Sequence, residues 1–271
     1  MVTIDRLMRA ITLGGALLFT AAAAQALPDL LIVAADSNPP TAEMTASGKF
    51  ASVAVFDARS GTPTLPQVLQ YDVILAYSNS IPLDPIGLGD VLADAVDAGR
   101  IVTVATYGMS QPWAITGRVQ TAGYNPLGIA TTGDVSGSLT AVVPADPIFR
   151  GVTLSAVSYF HNSNFAHPTL APGATLLATD GAGINMIARS ASRRVQGMNL
   201  FPGSNVGSNA EFFELVANIV SRSSGAVPSA SNPIPTLSEW SLILMALSVV
   251  GIAACTPRLR STRGTERLTP A

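Results

Sequence analysis

The sequence predicts an α/β fold, in which a mostly parallel sheet is flanked by helices and followed by a C-terminal transmembrane helix. Four continuous apolar runs lie at 30–36, 52–57, 72–77 and 101–106, and such runs are typical of strands buried on both faces. A helical pattern separates the last two runs, and strands that alternate with helices indicate parallel pairing. A further apolar run without charges, near the C-terminus, has the composition of a membrane span.

The helix between the third and fourth runs has an apolar stripe at helical spacing and ends where a C′ glycine belongs, at Gly99. Three acids, Asp90, Asp94 and Asp97, line the opposite face. We interpret them as a solvated helix face in preference to a cation site. The apolar stripe consists of Leu88, Val91, Leu92, Ala95 and Val96.

After Gly108 the periodicity weakens, which indicates antiparallel strands or long loops. Strand patterns return in the last third of the domain, at 175–179, 184–189 and 194–200. A capping box formed by Ser208 and Glu211 then predicts a final helix. Its apolar face holds Phe212, Leu215, Val216 and Ile219. We interpret residues 27–222 as one domain.

The first 26 residues have the three parts of a secretory signal peptide. Arg6 and Arg9 form a positive n-region, an apolar run extends over 10–24, and Ala24-Gln25-Ala26 gives the small-x-small pattern that signal peptidase recognises. A plain membrane anchor is the alternative, and the short run disfavours it. We therefore expect signal peptidase and the export machinery as partners, and a mature chain that starts near Leu27 outside the cytoplasm.

The C-terminal part divides into a linker, a membrane span and a basic tail. Residues 223–233 are rich in Ser, Ala and Pro and predict an extended linker. The apolar run at 240–256 predicts a transmembrane helix, slightly shorter than a hydrocarbon core of about 30 Å. The alternative is a buried core helix, which the arginines of the tail 257–271 disfavour. These are Arg258, Arg260, Arg263 and Arg267, and the positive-inside rule keeps them cytoplasmic and the domain outside.

Charge and cysteine usage exclude several function classes. Residues 27–239 hold nine Lys or Arg and fifteen Asp or Glu, a net charge of −6, which argues against a nucleic-acid partner. The single cysteine, Cys255, excludes a disulfide framework and a Cys-ligated zinc site. Gly181-Ala-Gly183 does not precede a predicted helix, so no nucleotide cofactor is expected. We interpret one small basic cluster as a solvated strand face: Arg189, Arg193 and Arg194.

Residues 234–240, Ile-Pro-Thr-Leu-Ser-Glu-Trp, stand directly before the predicted span and are called the sorting motif below. Thr236 and Glu239 have capping-box spacing, and a Trp is favoured at a membrane interface. The motif, the short span and the arginines resemble the IPTL-CTERM sorting signal of Gram-negative bacteria, with Ser241 where the family usually has glycine. The resemblance implies an exosortase-type transpeptidase as partner, cleavage near the motif and transfer to the cell surface or outer envelope. The matching residues are Ile234, Pro235, Thr236, Leu237 and Trp240.

Three stretches of the domain, at 71–80, 88–108 and 146–152, resemble the class I glutamine-amidotransferase-like and trehalose-utilisation-type superfamily. The resemblance implies a flavodoxin-like sheet. In the amidotransferases it also implies a nucleophilic cysteine on a tight strand-to-helix turn, activated by a His–Glu pair. Here Thr106 takes the cysteine position, Asp146 replaces a histidine common in the family, and no His-x-Glu pair follows. The family's catalytic residues are therefore absent, and glutaminase chemistry is not expected.

Open parallel sheets place their ligand sites at the carboxyl ends of the strands. Most polar residues predicted there are neutral hydrogen-bonding groups, which suit a polar ligand such as a glycan better than acid–base chemistry. The residues of this predicted ligand cleft are Asp36, Ser37, Asn38, Ser78, Thr106 and His161.

Two functions follow from these patterns. The favoured one is an exported, surface- or envelope-sorted binding or structural protein with a degenerate amidotransferase-like domain, without metal or cofactor. The alternative is an extracytoplasmic hydrolase that acts on a glycan or amide through a site around Asp36 and His161. His161 and His167 also leave a metal site open, with Asp36 or Asp180 as a third ligand, although structural roles for both histidines are the preferred interpretation.

Overall fold

The computed structural model describes residues 26–121, 123–204 and 206–221. The chain divides into two compact units, 1–225 and 226–271, and every described residue belongs to the first. Apart from Ala26, the predicted signal peptide, linker, sorting motif, transmembrane helix and basic tail lie outside the described residues. Within the described ranges, no helix is both long and apolar enough to cross a membrane.

Eight strands of the described chain form one mixed sheet, in the order β2-β1-β3-β4-β10-β9-β8-β6, and two short strands, β5 and β7, pair separately. In chain order the strands are β1 (Asp29–Ala35), β2 (Ser52–Asp57), β3 (Val73–Ser78), β4 (Ile101–Ala105), β5 (Thr132–Gly133), β6 (Leu139–Ala141), β7 (Phe165–Ala166), β8 (Thr175–Asp180), β9 (Asn185–Arg189) and β10 (Val195–Met198).

Five neighbouring strands of the sheet, β2, β1, β3, β4 and β10, are parallel to one another. Of these, β1, β3 and β4 are buried almost throughout. The strands from β10 to β6 pair antiparallel. Residues 181–184 and 190–194 join β8 to β9 and β9 to β10, and such short connections allow only antiparallel neighbours, since a parallel pair needs a crossover of about a dozen residues. The predicted α/β fold with a mostly parallel sheet is confirmed, with an antiparallel extension at one side.

The described chain also forms four α-helices: α1 (Thr41–Ala46), α2 (Leu65–Val68), α3 (Pro85–Asp97) and α4 (Ala210–Ser221). The longest, α3, starts where the Asp84 carboxylate accepts a hydrogen bond from the Gly87 N–H at 2.9 Å. It ends before Gly99, whose φ of 94° lies in the left-handed region that a C′ glycine supplies. This confirms the predicted helix and its terminating glycine.

The predicted final helix is confirmed as α4, but its predicted capping box is wrong. Asn209 caps the helix, since its Oδ1 accepts a hydrogen bond from the Phe212 N–H at 3.0 Å. The Ser208 hydroxyl instead accepts from the Phe160 N–H at 3.2 Å. The Glu211 carboxylate accepts from the Thr153 N–H. Contacts with the segment 153–160 therefore engage both residues that the sequence pattern assigned to the cap.

The sheet separates two apolar cores. On one face, Leu30 of β1 belongs to a core with Phe212 of α4. On the opposite face, Leu31 belongs to a core with Leu92 of α3. Successive side chains of a strand point to opposite faces, so a continuous apolar run supplies both cores at once. The result is a layer of helices on each side of the sheet, with the loops at the carboxyl ends of the parallel strands left free for a site.

Candidate functional site

The carboxyl ends of β1 and β3 adjoin where the strand order reverses, which is the usual ligand crevice of such a sheet. Asp36 follows β1 at this point and is 6% exposed. Its Oδ1 accepts hydrogen bonds from the Ser37 N–H at 2.8 Å and the Asn79 amide at 3.2 Å. Its Oδ2 accepts from the Tyr77 hydroxyl at 3.0 Å. Three internal donors therefore satisfy this carboxylate, which holds the ends of β1 and β3 together.

Tyr77 lies in the core below Asp36 and is fully buried. Burial raises the pKa of Tyr77 well above its usual range, and the nearby charge of Asp36 raises it further. The ring of Tyr77 packs edge-on against Phe201, with centroids 5.7 Å apart. Tyr77 therefore stays protonated throughout the neutral pH range, and its O–H group donates a hydrogen bond to the Asp36 carboxylate.

A loop after β10 covers one side of this crevice. A Cβ built on Gly203 would lie 2.9 Å from Asp36 Oδ2 and 2.6 Å from the Phe201 ring. Only glycine therefore allows the backbone to pass so close to the Asp36 carboxylate. The Ser204 N–H donates to the Asn38 carbonyl oxygen at 2.8 Å. The loop therefore fixes the segment after β1 and shields Asp36.

The solvent-facing part of the crevice consists of neutral side chains. Ser37 and Asn38 are exposed after β1, and Asn79 and Ser80 are exposed after β3. The Asn38 amide donates to the Ser37 hydroxyl at 3.2 Å, while the Asn79 amide is held by Asp36. These four side chains are called the crevice rim below, and two of them, Ser37 and Asn38, belong to the predicted cleft.

Thr106, at the position of the amidotransferase nucleophile, follows β4 and is fully buried. Its hydroxyl donates to Asn199 Oδ1 at 2.7 Å, and the Asn199 amide donates to the Ala166 carbonyl oxygen at 2.7 Å. The peptide bond between Thr106 and Tyr107 is cis. Within the described chain the hydroxyl is bonded to a neutral amide and to no titratable group. These two hydrogen bonds join the ends of β4 and β10 to β7, so the Thr106 hydroxyl has a structural role.

Aromatic rings cover this turn. Tyr107 is 5% exposed, and its ring contacts Trp113, Phe165 and Phe201 with centroids 5.3 to 5.6 Å apart. Burial raises the pKa of Tyr107 above its ordinary value. Nearby, the fully buried Ser78 hydroxyl donates to the Trp113 carbonyl oxygen at 2.7 Å. Ser78 and Thr106 are thus part of the packed interior beside the crevice rim.

The two histidines lie against different backbone segments. His161 is exposed, and its ring is so close to Gly137 that a Cβ there would lie 2.6 Å from Nε2. His167 Nε2 is hydrogen-bonded to the Asp134 carbonyl oxygen at 3.0 Å. Neither histidine is hydrogen-bonded to Asp36. Among the residues that the structure describes, no group of three or more His, Cys, Asp or Glu side chains could hold a metal ion.

Asp180, the other candidate metal ligand, is 2% exposed and organises two loops. Its Oδ1 accepts from the N–H groups of Ala182 and Ile184 at 2.9 and 2.8 Å, which closes the turn between β8 and β9. Its Oδ2 accepts from the Ser136 N–H at 2.8 Å. These three backbone N–H groups satisfy the Asp180 carboxylate, which explains why it can be buried.

The acidic face of α3 lies at the surface, where Arg118 pairs with it. The guanidinium of Arg118 pairs with Asp94 and with Asp97, and its backbone N–H donates to Asp90 Oδ1 at 2.8 Å. The hydrogen bonds that Arg118 donates to the Tyr124 hydroxyl and to the two paired aspartates raise the pKa of Arg118 above its usual value. The predicted solvated face is confirmed, and it carries surface ion pairs that attach the segment 117–120 to α3.

The predicted basic cluster also separates in the structure. Arg189 is partly buried and pairs with Asp146 at 2.8 Å, and the Asp146 carboxylate also accepts from the Ile148 N–H at 3.2 Å. Arg194 donates to the Gly99 carbonyl oxygen, whereas Arg193 is exposed with a φ of 60°. The interpretation of a common strand face is wrong, because Arg193 and Arg194 lie in the turn between β9 and β10 and the guanidinium groups of Arg189 and Arg194 bind acceptors of their own.

Sequence reasoning missed three residues that shape the site: Tyr77, Trp113 and Asn199. Asn199 directly follows β10, so the rule that uses carboxyl strand ends would have found it if β10 had been recognised as parallel to β4. Tyr77 lay inside a predicted strand and looked like a core residue. No local pattern marks Trp113, whose carbonyl reaches Ser78 only through the tertiary fold.

Comparison with protein families identifies an IPTL-CTERM motif at residues 232–260. This confirms the resemblance found in the sorting motif, and it covers only the C-terminal part of the chain. No curated protein matches the sequence.

Solved structures with a similar fold share little sequence with the chain. A cytoplasmic protein from Salmonella typhimurium is 10% identical with a TM-score of 0.49, and the match covers 71% of this chain and 98% of that one. A ThuA-like protein from Bacteroides uniformis is 12% identical with a TM-score of 0.46, over 73% and 93% of the two chains. A glutamine amidotransferase from Methylobacillus flagellatus is 15% identical with a TM-score of 0.43, over 65% and 70%. Structures to which the chain is similar thus include a ThuA-like protein and a glutamine amidotransferase.

Proposed function

We propose that this protein is exported, anchored in the inner membrane by its C-terminal segment, and then sorted to the cell surface or outer envelope. The IPTL-CTERM motif at 232–260 supports the sorting step, and the sequence of residues 1–26 supports export through signal peptidase. An exosortase-type transpeptidase cleaves the chain near the sorting motif, which removes the membrane span and the basic tail.

Substitutions in the sorting motif test this proposal in cells. Pro235→Ala and Trp240→Ala should leave the protein in the inner-membrane fraction at its uncleaved mass, because the transpeptidase no longer recognises it. Ser238→Ala, at a variable position of the motif, is the matched control and should be processed like the wild type. Fractionation and mass spectrometry of the protein give the result, and processing of all three variants would contradict the proposal.

The domain itself binds and does not catalyse. The observation that carries this step is the hydrogen bond from the buried Thr106 hydroxyl to Asn199 Oδ1 at 2.7 Å. A nucleophile needs a neighbouring base to take its proton, and an amide oxygen cannot act as that base. Asp36 is likewise satisfied by three internal donors. The hydrolase alternative around Asp36 and His161 stays a prediction that these contacts do not favour.

The crevice rim supports a neutral, polar ligand of the glycan class, since Ser37, Asn38, Asn79 and Ser80 offer hydroxyl and amide groups without charge. Binding of the full chain, purified in detergent, to a glycan array tests this. Asn38→Ala should lower binding about tenfold, the loss of one or two hydrogen bonds. Gln70→Ala, at an exposed position just before β3 and therefore at the opposite end of the strands from the rim, should not. Absence of binding would refute the ligand class, and cleaved glycans would favour the hydrolase.

A further inference from the structure

The strand β2 lies at an edge of the sheet and pairs only with β1 among the described strands. Its residues 52–56 are Ser-Val-Ala-Val-Phe, and its one charged residue, Asp57, is at the end. Natural edge strands are usually protected by central charges, prolines or bulges, because unpaired backbone groups recruit other strands. In β2 none of these devices is present, and the pairing with β1 is continuous from Ser52 to Asp57.

The pairing with β1 determines which backbone groups of β2 point outward. The Ala58 N–H donates to the Ala34 carbonyl oxygen, as a parallel register requires in which Ala34 lies opposite Asp57, and the direction of these groups alternates along a strand. Even-numbered residues of β2 therefore bond to β1, while the N–H and C=O groups of Val53, Val55 and Asp57 face away from the sheet. A strand added at this edge would pair with these three residues.

The exposed apolar side chain of the strand is Val55, which is 43% exposed. It lies on the same face as Val53, which packs against the core shared with α4. The charge at the end of β2 is neutralised within the molecule, because Arg59 donates two hydrogen bonds to the Asp57 carboxylate. Side-chain hydrogen bonds from Arg59 also lower the pKa of Asp57. Two copies of this edge can thus approach without like charges in contact.

We propose that β2 pairs antiparallel with β2 of a second copy of this chain, so that the two sheets become continuous. A twofold axis through Val55 places the two Val55 residues opposite each other and Val53 opposite Asp57 of the other copy, and these pairs form the backbone hydrogen bonds. Ala54 then lies opposite Phe56 of the other copy, so a small side chain faces a large one. The two Val55 residues meet on the axis as a hydrogen-bonded pair of an antiparallel ladder. The same register keeps corresponding faces of the two sheets together, as a twofold interface requires. This inference goes beyond the proposed function and does not depend on where the protein is sorted.

Cysteine cross-linking of the full chain tests the interface. In a Cys255→Ser background, Val55→Cys would place two cysteine Cα atoms about 5.5 Å apart across the axis, a separation that is common in disulfides. Membranes treated with a mild oxidant should give a covalent dimer on a non-reducing gel. The matched control is Val142→Cys, since Val142 is 49% exposed and adjoins β6 at the opposite edge. We expect about tenfold more dimer from Val55→Cys, and equal amounts from the two variants would overturn the proposal.

A second position tests the register. Val53→Cys lies on the same strand and face, but its two copies would be about 14 Å apart in the proposed pairing, so it should not cross-link. Cross-linking through Val53 without cross-linking through Val55 would overturn the twofold axis proposed here. Light scattering of the purified protein gives an independent readout, since Val55→Lys should convert a dimer to a monomer while Val142→Lys should not.

Discussion

At the scale of single residues, two fully buried threonines, one in β4 and one directly after it, have hydroxyls in different situations. The Thr106 hydroxyl satisfies Asn199, whereas the Thr103 hydroxyl has no hydrogen-bond partner in the described chain. Thr106→Val should lower the free energy of unfolding by about 1–3 kcal/mol, because it leaves a buried amide oxygen unpaired. Thr103→Val should leave stability unchanged or raise it. Urea unfolding of both variants measures the difference, and equal losses would show that the bond to Asn199 contributes nothing.

Two buried tyrosines allow a similar comparison in alkaline solution. Burial raises the pKa of Tyr77 and of Tyr159 above the usual value of 10, so each keeps its proton in the folded state when the unfolded chain has lost it. The stability that each contributes is present below pH 10 and falls above it, by about 1.4 kcal/mol per pH unit and per tyrosine. Tyr77→Phe and Tyr159→Phe should each make the decline between pH 10 and 11 less steep.

The two tyrosine variants should differ at neutral pH. Tyr77→Phe removes a hydrogen bond to Asp36 and should cost about 1.5–3 kcal/mol, the range for a bond to a charged group. The Tyr159 hydroxyl is buried without a partner in the described chain, so Tyr159→Phe should cost nothing. Urea unfolding from pH 7 to 11 measures both effects. An unchanged alkaline slope in both variants would mean that the folded protein ionises its tyrosines as readily as the unfolded chain.

At the scale of the elements, continuous apolar runs predicted β1, β3 and β4, because a strand covered on both faces needs no alternation. The same signal also predicted β2, although that strand lies at the sheet edge and contains no buried residue. Apolar runs could not reveal that β10 is parallel to β4, since that pairing joins residues far apart in the sequence. β5 and β7 have two residues each, too few for any period. Ser37 and Asn38 of the crevice rim were predicted from the end of β1, whereas the bond between Thr106 and Asn199 depends on the missed β10 pairing. Local patterns thus predicted the elements, and the long-range contacts needed the fold.

The contact between α3 and the segment 117–120 can be tested through one glycine. A Cβ built on Gly89 of α3 would lie 1.6 Å from the Thr116 carbonyl oxygen, and a backbone atom cannot rotate away. Gly89→Ala should therefore separate the two elements and cost about 1–3 kcal/mol or more. Gly128→Ala is the control, because nothing lies within 4 Å of its Cβ position, and it should be neutral or slightly stabilising. Thermal unfolding that fails to separate the two variants would contradict this packing.

At the scale of the whole molecule, residues 26–221 hold eight Lys or Arg and fourteen Asp or Glu, a net charge of −6. The four arginines of the C-terminal tail belong to a segment of different composition. The formal net charge of −2 for the chain therefore averages an acidic domain with a basic end. This asymmetry is what the proposed topology requires, with the acidic domain outside the membrane and a basic tail that orients the anchor.

Val220 is the last residue in the chain that belongs to either of the two described cores. A chain that ends after Ser231 should therefore fold like the full protein. We expect its free energy of unfolding to lie within about 0.5 kcal/mol of that of the full chain, the usual scatter for changes away from packed residues. We also expect it in the soluble extracytoplasmic fraction. A chain that ends after Asn209 lacks α4, whose buried Phe212, Leu215 and Ile219 contribute about 1.5–3 kcal/mol each. That loss is comparable to the whole stability of a domain, so the shorter chain should not fold. Circular dichroism and fractionation distinguish the two, and a chain ending after Ser231 that stayed with the membrane would show that residues 232–271 are not its anchor.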